Sequence, residues 1–513
     1  MDGSAISLRP LINQLQSCCK PPALSLGSAS GVDDTLGDAQ GMTGSIFDTF
    51  TALQWLQVVE HELLLFAAFW FVVGLVDEFA IDLSFFFLKL FKSPRTAHLP
   101  AGYGAAPLAG RAAVLIPTWQ EAPVIATTLA HALGAWPQAG LRIYIGCYRN
   151  DVATIAAAIA GAGGDHRVRL VIHDRIGPTT KADCLNRLYI ALAADEARSG
   201  EEFRSVVLHD AEDMVHPAAL AAIDAALLTV DFVQLPVRPE LQPRSRWIAG
   251  HYADEFAEAH AKLLVVRDAI GAALPAAGVG CGFARRALAE LAARRMAEGE
   301  VGPFAAECLT EDYELGLLVS QHGRRSSFLR LRDASGQLVA TRSFFPTDLG
   351  QAVRQKTRWV HGIAFQSWDR MGWSGGPVDL WMALRDRRGP LTALVLAAAY
   401  LLLIIDAVLL GAHWSGLVPA YAPSGVLKFF LLLSFFGFVW RALMRFTFTA
   451  HEYGLAEGIW AVARIPVSNI IAIMAGRRAF AAYFRTLRGG AVMWDKTAHL
   501  GHPARLAGHE ARA

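Results

Sequence analysis

The sequence predicts an α/β domain built on a mostly parallel sheet and set between apolar helices able to cross a membrane. Two observations carry this. Between residues 111 and 237, short β-branched apolar runs alternate with alanine-rich helical stretches, the pattern of βαβ units. Hydrophobic residues make up 53% of the 513, and the mean hydropathy of +0.32 exceeds what a soluble enzyme of this size needs. The formal net charge of +1 conceals local segregation of charge, and no long basic stripe with interleaved aromatics gives reason to expect a nucleic-acid partner. Cysteines at 18, 19, 147, 184, 281 and 308 show no CxxC spacing, so neither a zinc site nor a disulfide framework is indicated.

Taken in order, residues 1–50 are rich in Gly, Ser, Ala and Asp without a sustained period and read as a mobile tail; they lack the basic-then-apolar pattern of a cleaved signal. Residues 51–92 form an N-terminal membrane-helix region. Its clean apolar stretch, Leu63 to Val76, is shorter than the roughly 20 residues a span needs, so the crossing recruits flanks such as Ala52 to Val59 or tilts. Asp77, Glu78 and Asp82 interrupt it before a second apolar stretch, Leu83 to Phe91. Lys89, Lys92 and Arg95 follow closely, which places the domain at 100–385 in the cytoplasm. In that domain, strands are expected at Ala112 to Ile116, Arg142 to Cys147, Val168 to Ile172, Val206 to Leu208 and Phe232 to Val237.

Residues 386–485 supply C-terminal transmembrane and interfacial helices. Leu391 to Ala412 and Val426 to Leu443 read as a hairpin, with Arg385, Arg387 and Arg388 before it and Arg441 and Arg445 after it. Gly458 to Ala475 contains Arg464 and Pro466 and reads as interfacial or re-entrant. Asp406, inside a span, is either a functional intramembrane carboxylate or a group facing a polar partner near the outer interface. The tail, 486–513, is polar enough to be cytoplasmic.

Three clusters carry chemistry. In HDAEDMVHP, 209–217, an apolar strand stops at Asp210, Glu212 and Asp213; crowded carboxylates at a strand end fit a hard divalent cation shared with substrate phosphates, or else an acidic turn capping the helix near Pro217. In LTEDYELG, Thr310, Glu311 and Asp312 begin an amphipathic helix, read either as an ordinary capped helix or as the seat of a base able to take a proton from a hydroxyl. In RQKTRWVHG, Gln355 and Arg358 share a helix face, where Arg can hold phosphate and Trp359 offers a flat wall to a sugar. GVGCGF, Gly278 to Phe283, is either a glycine-lined acceptor site or a tight turn. His209, His216, His361 and Trp368 are candidates for pocket lining, or for core and surface.

These clusters, in this order behind an α/β pattern, resemble those of family 2 inverting glycosyltransferases of the GT-A fold, including the membrane-bound cellulose and hyaluronan synthases. PTWQE (117–121), YRND (148–151), HDAEDMVHP, LTEDYELG and WDKTAH (494–499) are more closely similar to the bacteriophage adsorption protein B family. The resemblance implies a GT-A domain, Rossmann-like with a mostly parallel sheet, plus a helical transmembrane region. It implies that Pro117, Glu121, Asp151, Lys181, Asp183 and Asp210 bind a nucleotide sugar, with a UDP-sugar foremost. Glu212, Asp213 and Asp210 are the implied ligands of Mg²⁺ or Mn²⁺, and Asp312 the implied general base. Glu311, Gln355, Arg358, Trp359 and Gly280 then face the acceptor and diphosphate. The implied partners are a glycan or lipid acceptor, membrane lipids and an outer-membrane or export component, and the implied location is the bacterial inner membrane. A non-catalytic scaffold that keeps the transferase fold is the alternative.

Overall fold

The computed structural model describes residues 51–92, 96–419, 422–489 and 501–505. The expected mobile tail at 1–50, Arg95 and the WDKTAH segment lie outside the described residues. Residues from Trp55 onward form one compact unit.

Its centre is a seven-stranded sheet: β1 (Arg111–Pro117), β2 (Leu141–Tyr148), β3 (Val168–His173), β4 (Phe203–Leu208), β5 (Phe232–Gln234), β6 (Cys281–Ala284) and β7 (Ser326–Phe328). The spatial order is β3-β2-β1-β4-β6-β5-β7. β6 runs antiparallel to both its neighbours and every other pair is parallel. The central strands are buried on both faces, which is why they read as continuous apolar runs rather than alternating ones. One apolar cluster, including Val114, Ile116, Leu129 and Ile143, fills one side of the sheet; a second, including Leu115, Leu188, Phe232 and Phe283, fills the other.

The five expected strands all form, with two corrections. The run Phe232 to Val237 is two strands, because Pro236 has no N–H for a ladder; after it Val237–Pro239 leaves the main sheet and pairs with Thr341–Ser343. GVGCGF is not a loop throughout. Its second half is β6, and Gly282 sits where a side chain would strike Ile223 of the helix packed behind it.

Three helices among the described residues are long and apolar enough to cross a membrane: Ala52–Phe87, continued by a π turn to Lys92, Gly389–Trp414 and Gly425–Tyr453. A fourth crossing is possible by length if Leu455–Ala463 and Ile465–Leu487, bent by 50° at Arg464, count as one. Arg464 sits at that bend with Pro466 just beyond it, and its guanidinium is fully buried against Asp254 (2.7 and 2.8 Å) and Glu457 (2.8 Å). The charge that argued against a span therefore points into protein.

The first helix runs unbroken through Asp77, Glu78 and Asp82. Those carboxylates do not end it, because each is paired sideways. Asp77 accepts from Trp381 Nε1 (2.7 Å) and meets Arg385 and Arg388; Glu78 meets Arg385 (3.0 Å) and Arg441 (3.1 Å); Asp82 meets Lys262 and accepts from Trp440 Nε1 (2.7 Å). One helix edge is thus bound to three others by buried charge, while Phe69, Val76, Leu403, Phe435 and Phe436 stand exposed on the outer faces of the spans.

Candidate functional site

The carboxyl ends of β1, β4 and β5 open into a cavity of about 700 Å³, the place where open α/β sheets bind ligands. Its walls bring together Pro117, Glu121, Lys181, Asp210, Glu212, Asp213, Glu311, Asp312, Gln355, Arg358 and Trp359, from five separate stretches of chain. Two π-helical turns, Ala259–Leu263 and His361–Gln366, complete its apolar side through Leu263 and Ile363.

The carboxylate loop is tightly tied. Asp213 is 1% exposed, and its Oδ2 accepts from the Asp210 N–H (2.9 Å) and lies 2.9 Å from His209 Nδ1. Burial pushes the Asp213 carboxyl up despite His209. Asp213 therefore shapes the loop, while Asp210 and Glu212 are less buried and face the cavity. Asp210 Oδ1 stands 2.7 Å from Lys181 Nζ, at the start of helix Lys181–Ser199. Burial works against the Lys181 ammonium, but Asp210, Glu311 and Asp312 outweigh it and hold its pKa above the ordinary lysine range.

Across the cavity, helix Glu311–Gln321 starts with the TED residues. The expected Thr310 side-chain cap is not made; Thr310 lies instead where Gly362 leaves room for it. Asp312 Oδ1 accepts the Tyr313 N–H at 2.8 Å, and its other oxygen faces Gly278. Gly278 has φ +74°, where a side chain is strained, and a Cβ there would press on Asp312 Oδ2 and come within 3.2 Å of Lys181 Nζ, so that those side chains would have to shift. Burial raises the Asp312 carboxyl, opposed chiefly by Lys181. Burial and the neighbouring Asp312 push Glu311, 4% exposed, up to about 8. A carboxylate with a raised pKa beside a fixed ammonium is suited to accept a proton from a hydroxyl.

Helix Leu349–Val360, capped by Asp348 through the Gln351 N–H (2.9 Å), aims Gln355, Arg358 and Trp359 into the same space. Trp359 is held edge-on to Tyr252 and beside Phe256.

The donor set can be weighed against a divalent ion. Among the described residues, no three His, Cys, Asp or Glu side chains are grouped to hold a metal by themselves. Two carboxylates at the cavity wall fit an ion that takes one or two protein ligands and completes its shell with substrate phosphate and water, and they do not fit an all-protein cage.

Residues 109–362 match the family model described as "Glycosyltransferase like family 2". They form a family 2-like glycosyltransferase domain. Over 409 residues the chain is 32% identical to the bacteriophage adsorption protein B of Escherichia coli (strain K12), covering 75% of this chain and 54% of that protein, and equally to the bacteriophage N4 adsorption protein B of Escherichia coli O157:H7. The chain thus spans about half the length of these curated relatives. Among solved structures it is similar to a mannosyltransferase from Pyrobaculum calidifontis in complex with GDP-Man and Mn²⁺ (18% identity, 78% of this chain and 98% of that one, TM-score 0.41). It is also similar to glucosyl-3-phosphoglycerate synthase from Mycobacterium tuberculosis in complex with Mn²⁺, UDP and phosphoglyceric acid (17%, 52% and 81%, TM-score 0.31).

Three expected site residues of the family 2 domain stand off the cavity lining. Asp151 accepts the Gln120 N–H (2.6 Å) and caps helix Val152–Ala162, so it shapes the turn that carries Glu121. Asp183 pairs with His173 Nε2 (3.1 Å), whose ring stacks on Tyr148. Gly280 is the bend that leads into β6: its N–H bonds the Leu208 carbonyl (3.1 Å), and its bare α-carbon admits Thr341. Gly278, two residues earlier, is the glycine of GVGCGF that touches the chemistry. Of the other candidates, His209 is buried beneath the carboxylate loop, His216 pairs with Asp333 (3.3 Å), His361 is buried in the π turn, and Trp368 is on the surface.

Two contributors escaped the sequence. Gln234, at the end of β5, spans the Gly278 loop, donating to the Leu235 (2.7 Å) and Val279 (3.0 Å) carbonyls and accepting the Ala277 N–H (2.8 Å). Trp119 lines the cavity edge-on to Tyr148. A glutamine ending a buried apolar strand was the available signal for the first, and the aromatic inside PTWQE for the second.

Proposed function

We propose that the protein is an inverting membrane glycosyltransferase that moves a sugar from a nucleotide-sugar donor to a growing glycan or lipid-linked acceptor, in the making of a secreted or surface polysaccharide. The observation that supports this best is the convergence of Asp210, Lys181, Asp312 and Arg358 on one cavity at the carboxyl ends of the strands. In this reading Pro117 and Glu121 border the base and ribose, with Asp151 and Asp183 holding their surroundings, and the donor is a UDP-sugar. Asp210 and Glu212 would hold Mg²⁺ or Mn²⁺, which when bound supplies positive charge beside the diphosphate.

Asp312 takes the proton of the acceptor hydroxyl as that oxygen bonds the anomeric carbon from the face opposite the leaving group. The bond from that carbon to the diphosphate oxygen breaks, and Lys181 and Arg358 sit against the charge that develops there. A single protein base suffices, unlike glycoside hydrolysis with its two flanking carboxyl groups. Gln355 and Trp359 wall the acceptor side. Residues 100–385 then face the cytoplasm of the inner membrane. With three or four spans, a second copy or an export partner would complete a path for a polymer.

The test is metal-dependent release of nucleoside diphosphate by purified protein, screened over nucleotide sugars, with and without EDTA. Asp312→Asn should lower turnover by about 10²–10⁴-fold, the share a positioned general base contributes, with insertion and folding kept. Undiminished turnover in that variant would remove Asp312 from the role.

A further inference from the structure

Residues 501–505 return from beyond the membrane helices to the underside of the carboxylate loop. His502 is 1% exposed, and its Nε2 lies 3.1 Å from the backbone carbonyl of Asp213. The Ala504 N–H donates to His502 Nδ1 (3.1 Å), so the ring hydrogen is on Nε2 and is given to Asp213. Arg505 fixes the segment, with Nε 3.0 Å from Thr127 Oγ1 and Nη2 2.9 Å from the Pro123 carbonyl, on the helix that follows Glu121. Gly501 lies against the Phe344 ring, itself part of the cavity wall. The segment thus touches the carboxylate loop, the start of the helix after Glu121, and Phe344 of the cavity wall.

The other ties of this loop come from the domain itself: Thr128 to the Ala211 carbonyl, Arg342 to the Met214 backbone, His131 to the Val215 carbonyl (2.9 Å) and Trp136 to the His216 carbonyl (3.2 Å). Asp213 is the residue whose carboxylate holds the Asp210 N–H. Its carbonyl held by His502 and its carboxylate holding Asp210 form one continuous linkage, from the end of the chain to the carboxylate that faces Lys181.

We infer that residues 501–505 are a strap that positions the carboxylate loop for nucleotide and metal, with His502 as its positioning residue; this rests on the transferase reading above. The strap sets how tightly the donor is held and takes no part in the transfer itself. Removing the His502 ring leaves the buried Asp213 carbonyl without its donor and lets Asp210 shift.

The experiment uses full-length protein in detergent, titrated with UDP or GDP in the presence of Mn²⁺, together with hydrogen exchange over residues 209–216. His502→Ala should weaken binding about tenfold, equivalent to about 1.4 kcal/mol, within the range for a buried carbonyl stripped of its donor. Its saturated turnover should stay within about twofold, and exchange over 209–216 should quicken. His502→Gln, whose amide can donate to the same carbonyl, should restore both. Unchanged affinity and exchange in His502→Ala, or a folded His502→Gln that restores neither, would overturn the strap. If the wild-type protein binds neither nucleotide with Mn²⁺, the transferase reading fails, and exchange over 209–216 still decides the strap: quickening in His502→Ala upholds it and no change overturns it.

Discussion

Gly278→Ala separates the chemistry of the site from the stability of the fold. At φ +74° an alanine pays about 1–2 kcal/mol for the left-handed backbone. That cost falls on folding alone. The added methyl would also stand 3.2 Å from Lys181 Nζ and closer still to Asp312 Oδ2. Asp312 cannot swing clear without losing the Tyr313 N–H on its other oxygen, so the proton-accepting atom must move. A displacement of about 1 Å costs about 10² in rate, or about 2.7 kcal/mol of barrier. Gly200→Ala is the matched control, since Gly200 has φ +70° and nothing within 4 Å of where its methyl would be. Nucleoside diphosphate release and thermal unfolding in detergent should show both variants destabilised by similar amounts and only Gly278→Ala about a hundredfold slower. Equal activity losses would mean that backbone strain explains everything, and a Gly278→Ala turnover within about threefold of wild type would refute the crowding of the base.

Lys181→Met should move the acidic limb of the kcat/KM profile to higher pH. Burial already raises Asp312, and Lys181 is the strongest influence holding it down; without the ammonium the carboxyl keeps its proton to higher pH, and a base must be deprotonated to act. A limb that stays put or moves down in the pH-rate profile would contradict this. Arg464→Met should cost about 3–5 kcal/mol, because it leaves Asp254 charged and fully buried. The double variant with Asp254→Leu should recover much of that loss; thermal unfolding of the two in the same detergent checks the ordering.

The fold was legible where burial dictates composition. β1, β2 and β4 are buried on both faces, and their β-branched runs stand out against alanine-rich helices. β6 was not legible, because CGF holds only two apolar side chains and packs through the absence of a Cβ at Gly282. The cavity residues were legible as clusters of carboxylate, lysine and QxxRW. Their division of labour was not. That Asp213 turns inward and Asp210 outward depends on His209 and on a hydrogen bond three residues back along the chain, and spacing alone does not distinguish three adjacent acids. The strap at His502 was invisible for another reason: its partner is a backbone carbonyl 289 residues away, which leaves no mark on side-chain chemistry.

The acids at 77, 78 and 82 show why a membrane helix can carry charge at no loss to its length. As isolated groups they would end a span, since an unpaired carboxylate in hydrocarbon is costly. Here they face Arg385, Arg388, Arg441 and Lys262, and Lys262 also meets Glu258 at 2.6 Å. Glu258 and Lys262 belong to the stretch whose π turn, Ala259–Leu263, lines the cavity. Within that turn Leu263 faces the cavity while Lys262 meets Asp82. The same turn that shapes the apolar wall of the cavity is therefore anchored in the first apolar helix, and those carboxylates tie the α/β domain to the long apolar helices.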